Sequence, residues 1–361
     1  MDFLIKNNIT KGCKTVVDIG TYETKLMTVK YAAKNVNLEN AEAFDSSSLY
    51  YGDDFNYDEL ARRVRMYSAG GGRHDIAITL PESMVENRIV SFKNRKEAEL
   101  DKLIHKEYMT FGRVSPLTHV VDYAFLGKHD EGGDMVSYYL ISAIRKNVAE
   151  DLVSAFENCN LKITTISCST YNRYLLSELY FDDYEHLNRL VIDFGTNTTS
   201  VTALAGGVCV YSRNIGIGFE SFVSEVIKGQ RQAGRSEICD TLYKVGADFE
   251  EFQENKFYGS IYTAEYITAV KEVKERMLSE IGRITNMCSA GDTDISKIYY
   301  TGMCLKKLPE EMHSRLGVEC EQIEIGMSGE KTGKGYLVCA NDRDIDVRFS
   351  NAIAMAVYPM I

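Results

Sequence analysis

The sequence predicts a bilobed α/β fold carrying a small inserted α+β subdomain, and three observations point there. At 361 residues the chain is too long for one compact core and short for three, so two lobes are the natural division. Residues 16–26 (VVDIGTYETKL) match residues 191–201 (VIDFGTNTTSV) without gaps. Asp, Gly, Thr and a second Thr recur at 18/193, 20/195, 21/196 and 24/199, an offset of 193 − 18 = 175 residues. Copies so far apart indicate two homologous lobes rather than a solenoid, whose repeats are much shorter. Between the copies, strand-like and helix-like segments follow the order β-β-α-β-β-α, which suits a small α+β subdomain inserted into the first lobe.

Each copy reads as a short β-branched strand ending in Asp, a tight Gly-Thr turn and a second strand, over 25–31 in the first and 200–205 in the second. Each is therefore a β-hairpin. Gly206 and Gly207 supply the positive φ values of a two-residue loop into a third strand, 208–213. In the insertion, strands are expected at 75–80 and 85–92, broken by Pro81, then a charged helix at about 96–109. Strands 118–125 and 135–144, joined by a polar loop 127–134, lead to a helix 148–158 and a strand 162–168. After the second hairpin, apolar spacing predicts helices over 220–228 and 264–286, a short strand 298–301 leading to Gly302, and an alanine-rich closing helix over 349–357.

The expected division is a lobe-one core of 1–78, completed by 162–187 and the C-terminal helix 345–361, with the inserted subdomain at 79–161. The lobe-two core is 188–220, completed by 293–344, with a helical subdomain at 221–292.

Composition narrows the function classes. Apolar residues make up 45% and charged residues 26%, as in an ordinary soluble globular chain. The formal net charge of −11 repels phosphate backbones and anionic lipid surfaces, so nucleic acid is not an expected partner. The N-terminus shows no uninterrupted apolar run before a cleavage site, and no stretch of 18 apolar residues occurs. A cytoplasmic protein without direct membrane insertion is expected. The nine cysteines are odd in number, form no C-x-x-C pair and do not cluster with histidine, so they read as reduced, mostly buried core residues. The six histidines show no H-x-x-x-H spacing.

The repeated segment carries the chemistry. A strand-terminal Asp followed by Gly-Thr gives a turn whose backbone N–H groups can face phosphate oxygens, because Gly permits close approach and Thr adds a donor. One such turn is more often a plain turn with a capped Asp. Two copies in register, each opening a lobe, favour a phosphate clamp. Its residues are Asp18, Gly20, Thr21, Tyr22, Thr24 and Lys25 in the first turn, and Asp193, Gly195, Thr196, Asn197 and Thr198 in the second. Asp18 and Asp193 suit Mg²⁺, which keeps several waters and needs few carboxylates. Lys25 adds a positive charge in the first copy alone.

These hairpins resemble the two phosphate motifs of the actin-like ATPase superfamily, whose fold is the actin-like (ribonuclease H-like) bilobed fold. IYYTGMCLKKL at 298–308 resembles the superfamily's adenosine motif, with Gly302 and Met303 at its turn, and Glu280 and Arg283 match its Glu-x-x-Arg pattern. Read alone, that pair is a solvated helical i, i+3 couple. Over nearly the whole length the chain most resembles the PilM family of type IV pilus assembly, itself related to FtsA. AITLPESMVENRIVSF, EAELDKLIHKEYM, VVDYAFLG and LISAIRKNVAEDLVSAFENCNLKITTIS resemble that family's inserted subdomain in order and spacing.

The resemblance implies an ATP- and Mg²⁺-binding scaffold at the inner face of the membrane, held there by the N-terminal cytoplasmic peptide of a PilN-type membrane protein, with other pilus assembly proteins as further partners. Nucleotide state would couple to assembly through lobe closure. Three departures from the pattern set hydrolysis as slow or absent: Met303 where a second glycine is usual, Ser169 and Thr170 where relatives often carry an acidic residue and proline, and Met355 where glycine is common. No catalytic residue is identified. A small-molecule kinase, an FtsA-like filament former and a nucleotide-free scaffold remain the alternatives.

Overall fold

The computed structural model describes residues 11–32, 35–51, 54–68, 75–93, 97–111, 114–180, 187–252, 256–289, 294–323, 328–331, 337–340 and 347–357. The chain divides into two compact units. The second comprises Leu187–Ala205 and Tyr211–Ile323, and the remaining described residues form the first.

The first unit opens with a three-stranded meander, β1 (Lys11–Asp18), β2 (Glu23–Ala32) and β3 (Asn35–Asp45). The short strands β4 (Tyr50–Tyr51) and β5 (Asp54–Phe55) pair with each other and lead into α1 (Tyr57–Tyr67). The Asn56 side chain caps α1 by accepting from the Glu59 N–H at 2.9 Å, which satisfies one of the helix's orphan donors. β6 (Asp75–Leu80) runs parallel to β1, placing Thr79 beside Asp18.

Pro81 then breaks the strand, and the chain enters the inserted subdomain: β7 (Glu86–Lys93), α2 (Glu97–Tyr108), β8 (His119–Glu131), β9 (Asp134–Arg145) and α3 (Lys146–Asn158). Its sheet has the order β7-β9-β8. Strand alternation gives it two faces. Val90, Ile141 and Ala143 pack with Ile104 and Tyr108 of α2 on one, while Val136, Leu140 and Ile144 are buried on the other. The polar loop expected over 127–134 is shorter than the sequence suggests. β8 continues to Glu131, and the reversal falls on Gly132 and Gly133 (φ 64° and 95°), whose positive φ values match the twist of a two-residue hairpin.

β10 (Lys162–Cys168) returns to the main sheet parallel to β6, and α4 (Ser169–Tyr180) follows it. From the far end of the chain come β18 (Ser328–Lys331), β19 (Leu337–Ala340) and the closing helix α9 (Ser350–Val357). The finished sheet has the order β10-β6-β1-β2-β3-β19-β18. Ile353, Met355 and Ala356 of α9 pack on Val16, Met27, Val29 and Ala77, and the Tyr31 hydroxyl donates to the Ala356 carbonyl at 2.6 Å. Each large apolar side chain so buried contributes roughly 1.5–3 kcal/mol. The sequence reading assigns 293–344 to the second lobe, but β18 and β19 extend the first unit's sheet. β19 pairs with β3, near the start of the chain, and β18 with β19; the long-range pairing leaves no local signal.

The second unit repeats the topology. β11 (Arg189–Phe194), β12 (Thr199–Ala205) and β13 (Val208–Ile215) form its meander; the turn at Gly206 and Gly207, with φ of 52° and 80°, and β13 up to Val210 are counted with the first unit. α5 (Phe219–Gly229), α6 (Arg235–Lys244), the small hairpin β14 (Phe257–Tyr258) and β15 (Ile261–Tyr262), and the long α7 (Thr263–Ser289) precede β16 (Lys297–Gly302). Helix α8 (Leu308–Leu316) and β17 (Glu319–Gln322) complete it. Its order β13-β12-β11-β16-β17 is the order β3-β2-β1-β6-β10 of the first unit. The register agrees to the residue: Asp18 pairs with Lys25 and Thr79, Asp193 with Ser200 and Thr301.

Candidate functional site

Both repeated turns are closed by the same steric device. A Cβ on Gly20 would lie 2.3 Å from the Glu23 carbonyl oxygen, and one on Gly195 would lie 2.8 Å from that of Thr198. Any side chain at either position would force the turn open.

In the first turn Asp18 is buried at the end of β1 and forms an ion pair with Lys25 at 3.6 Å. The Ile19 N–H donates to the Thr79 carbonyl at 3.1 Å, and the Tyr22 carbonyl accepts from the Ser46 N–H at 2.7 Å. The buried Thr24 hydroxyl meets that of Ser46 at 2.8 Å, while Tyr22 stays 39% exposed beside the half-buried Thr21. Further along the strand ends, Asn172 of α4 donates to the Thr79 hydroxyl and accepts from that of Ser167, both at 2.8 Å. The site around Asp18 is thus polar, buried and internally hydrogen-bonded.

In the second turn the Gly195 N–H donates to the Thr198 carbonyl at 3.0 Å. The N–H groups of Phe219 and Glu220, in the first turn of α5, donate to the carbonyls of Gly195 and Thr196 at 3.1 and 2.8 Å. The helix's orphan donors therefore brace the turn from behind. Asn197 is exposed at the tip. Gly302 closes in from β16 with φ of 81°, and a Cβ there would lie 2.5 Å from the Phe194 carbonyl oxygen and 2.8 Å from Asp193 Oδ1. Met303 follows: its N–H donates to the Phe194 carbonyl at 2.6 Å, and its sulfur accepts from the Thr196 hydroxyl at 3.5 Å.

The structure therefore groups Asp193, Gly195, Thr196, Gly302 and Met303 at one end of the second sheet. Glu280 and Arg283 belong to α7. They bond to each other at 2.7 Å on the exposed side of α7; that hydrogen bond, with a smaller contribution from Arg213, holds the Glu280 carboxyl below its usual range.

A different feature marks the inserted subdomain. α3, β8, β9 and β10 enclose a groove of 440 Å³ lined mainly by Val120, Ile144, Ala149, Val153 and Ile166. Two sheet edges border it, since β8 ends the inserted sheet and β10 ends the large one.

Comparison with known proteins decides the family. The family profile of type IV pilus assembly protein PilM matches residues 16–328. The chain belongs to the PilM family. Among solved structures, a PilM-PilN type IV pilus biogenesis complex matches this PilM-family chain with a TM-score of 0.75 at 15% identity, covering 98% of this chain and 100% of that one. Ethanolamine utilization protein EutJ from Carboxydothermus hydrogenoformans follows at 0.51 and 15%, covering 98% and 92%. MreB5 of Spiroplasma citri bound to ADP gives 0.51 and 12%, covering 87% and 92%. A sequence comparison with curated proteins finds no match. The fold is the actin-like ATPase fold, and the chain is an actin-like protein of type IV pilus assembly.

In this PilM-family chain, sequence reasoning missed Glu82. The stretch after β10 has Ser169 and Thr170 in place of an acidic residue, yet Glu82 from the β6–β7 connection reaches it. Its carboxylate accepts from the Thr170 hydroxyl at 2.8 Å, from Arg173 at 3.1 Å and from Asn87 at 3.1 Å. Burial raises its pKa, but Arg173 and these hydrogen bonds outweigh burial and hold it below the usual range. The one available signal was Pro81-Glu82 directly after a predicted strand. Among the described residues, no helix is long and apolar enough to cross a membrane, and no group of three His, Cys, Asp or Glu side chains is placed to hold a metal.

Proposed function

We propose that the chain is a cytoplasmic nucleotide-binding scaffold that takes the N-terminal tail of a PilN-type membrane protein in the groove between α3, β8 and β10. The groove itself carries the reading: a 440 Å³ apolar channel bordered by two strand edges suits an extended, partly apolar peptide, whose ordering entropy must be offset by apolar contacts and backbone pairing. The partner in the similar PilM-PilN complex supports it. Tail binding would hold the chain at the inner face of the membrane.

For the nucleotide, the first turn suits a phosphate with Mg²⁺: it offers the Asp18 carboxylate, the Lys25 cation beside it and a turn that admits only glycine at position 20. In the second turn, Gly195, Thr196, Asn197 and Thr198 would hold phosphate and Asp193 the ion once Met303 leaves Thr196. Bound ATP would supply the phosphate charge that such a turn holds; no residue is assigned to water activation. The Met303 contact also favours a second reading, a scaffold that keeps the fold with weak or no nucleotide binding.

Calorimetry on the intact protein tests both halves. Micromolar or tighter binding of the tail peptide is expected, lost in Val153→Glu, and a lack of binding to the wild type would refute the scaffold reading. Titration with ATP, with and without Mg²⁺, decides between the nucleotide-bound and nucleotide-free forms.

A further inference from the structure

One rung of the first sheet is polar across four strands. Lys25 of β2 pairs with Asp18 of β1, Asp18 with Thr79 of β6, and Thr79 with Ser167 of β10. Residues paired in register point to the same face, here the one that α9 covers through Val16, Met27 and Ala77, two positions along the same strands. Asp18, Thr79 and Ser167 are all buried there.

The Asn172 amide decides where the hydroxyl protons of this rung go. Ser167 donates to Asn172 Oδ1, and Asn172 Nδ2 donates to the Thr79 hydroxyl oxygen, both at 2.8 Å. The Asn351 carbonyl, which can only accept, lies 3.4 Å from the same Nδ2 and so fixes that end of the amide. Thr79 therefore accepts from Asn172 and keeps its own proton to give. The side chain is fully buried, yet among the described residues its hydroxyl has no acceptor. Its neighbour one strand over is the Asp18 carboxylate, which is paired with Lys25 at 3.6 Å. The second unit repeats the pair at the same rung, with Asp193 beside Thr301, so a hydroxyl next to the strand-terminal carboxylate belongs to the repeat itself.

Resting on the nucleotide reading above, we infer that Thr79 is a positioning residue for Asp18: when Lys25 turns to a bound phosphate, the Thr79 hydroxyl donates to the carboxylate in its place and holds it toward hydrated Mg²⁺. The residues fit that task. Mg²⁺ keeps its waters and takes few protein carboxylates, so the one it faces must be oriented by its own hydrogen bonds. Asn172 aims the donor by occupying the Thr79 oxygen from the other side.

Calorimetry on the intact protein, with ATP in EDTA and with ATP and Mg²⁺, tests this. The wild type is expected to bind ATP more tightly with Mg²⁺. Thr79→Val, which keeps the shape and removes the hydroxyl, should lose about tenfold in affinity with Mg²⁺ and nothing in EDTA. Thr79→Ser, which restores the hydroxyl, should recover the loss. Asn172→Ser, which leaves Thr79 in place but frees its hydroxyl to turn, should show the same selective loss and carries the test if Thr79→Val does not fold. Unchanged affinity with Mg²⁺, equal losses with and without the ion, no recovery in Thr79→Ser, or wild-type binding that Mg²⁺ does not strengthen would overturn the inference while leaving ATP binding intact. If the wild type binds no ATP under either condition, the nucleotide reading falls and this one with it.

Discussion

The Thr196 hydroxyl donates to the Met303 sulfur at 3.5 Å, so the donor that the second turn would offer a phosphate is held by the chain's own thioether. Methionine is flexible and its sulfur a weak acceptor, so the contact can open, but a ligand must first displace it. Met303→Ala is therefore expected to bind ATP about tenfold more tightly than the wild type, read by titration with a fluorescent ATP analogue. Unchanged or weaker affinity in the folded variant would show that the thioether is no barrier.

Glu82 and Arg173 set a second prediction. The Arg173 side chain is 1% exposed and meets Glu82 at 3.1 Å, and removing one partner of a buried pair leaves an uncompensated charge. Glu82→Gln should lower stability by about 3 kcal/mol in chemical denaturation at neutral pH. Adding Arg173→Met should recover a large part. Because the folded pKa of Glu82 is depressed, its contribution is complete above the unfolded carboxylate pKa and is lost as pH falls through the folded value. The gap between wild type and Glu82→Gln should close in acid, and a gap independent of pH would contradict the ion-pair account.

Lys14 carries a charge whose burial costs stability. It is buried in β1, and desolvation lowers its pKa from 10.5 to about 8, only partly offset by Asp75. Below about pH 8 the lysine is protonated in both states and the folded state bears the full penalty; above it the unfolded chain holds more protons, so stability rises with pH. Lys14→Met should stabilise the protein by about 2–3 kcal/mol at pH 7, an advantage that shrinks as pH rises above 8. Parallel denaturation series between pH 7 and pH 10 would check it, and a variant no more stable at pH 7 would rule out a burial penalty.

The two hairpins, their common register and the subdomain inserted between them are legible in the sequence alone. Those features depend on short-range rules: strand alternation, the glycine that each turn requires, and the two-residue loop at Gly206 and Gly207. The apolar groove was legible only as an inserted segment, because its walls come from α3, β8, β9 and β10, which meet in space. Packing in three dimensions also sets where β18 and β19 pair, that Glu82 supplies a carboxylate beside Thr170, that Glu280 lies near Arg213 of β13, and that Met303 reaches Thr196. In each case the partners lie on different elements. Their meeting follows from how helices and sheets pack, and local sequence periodicity carries no record of that packing.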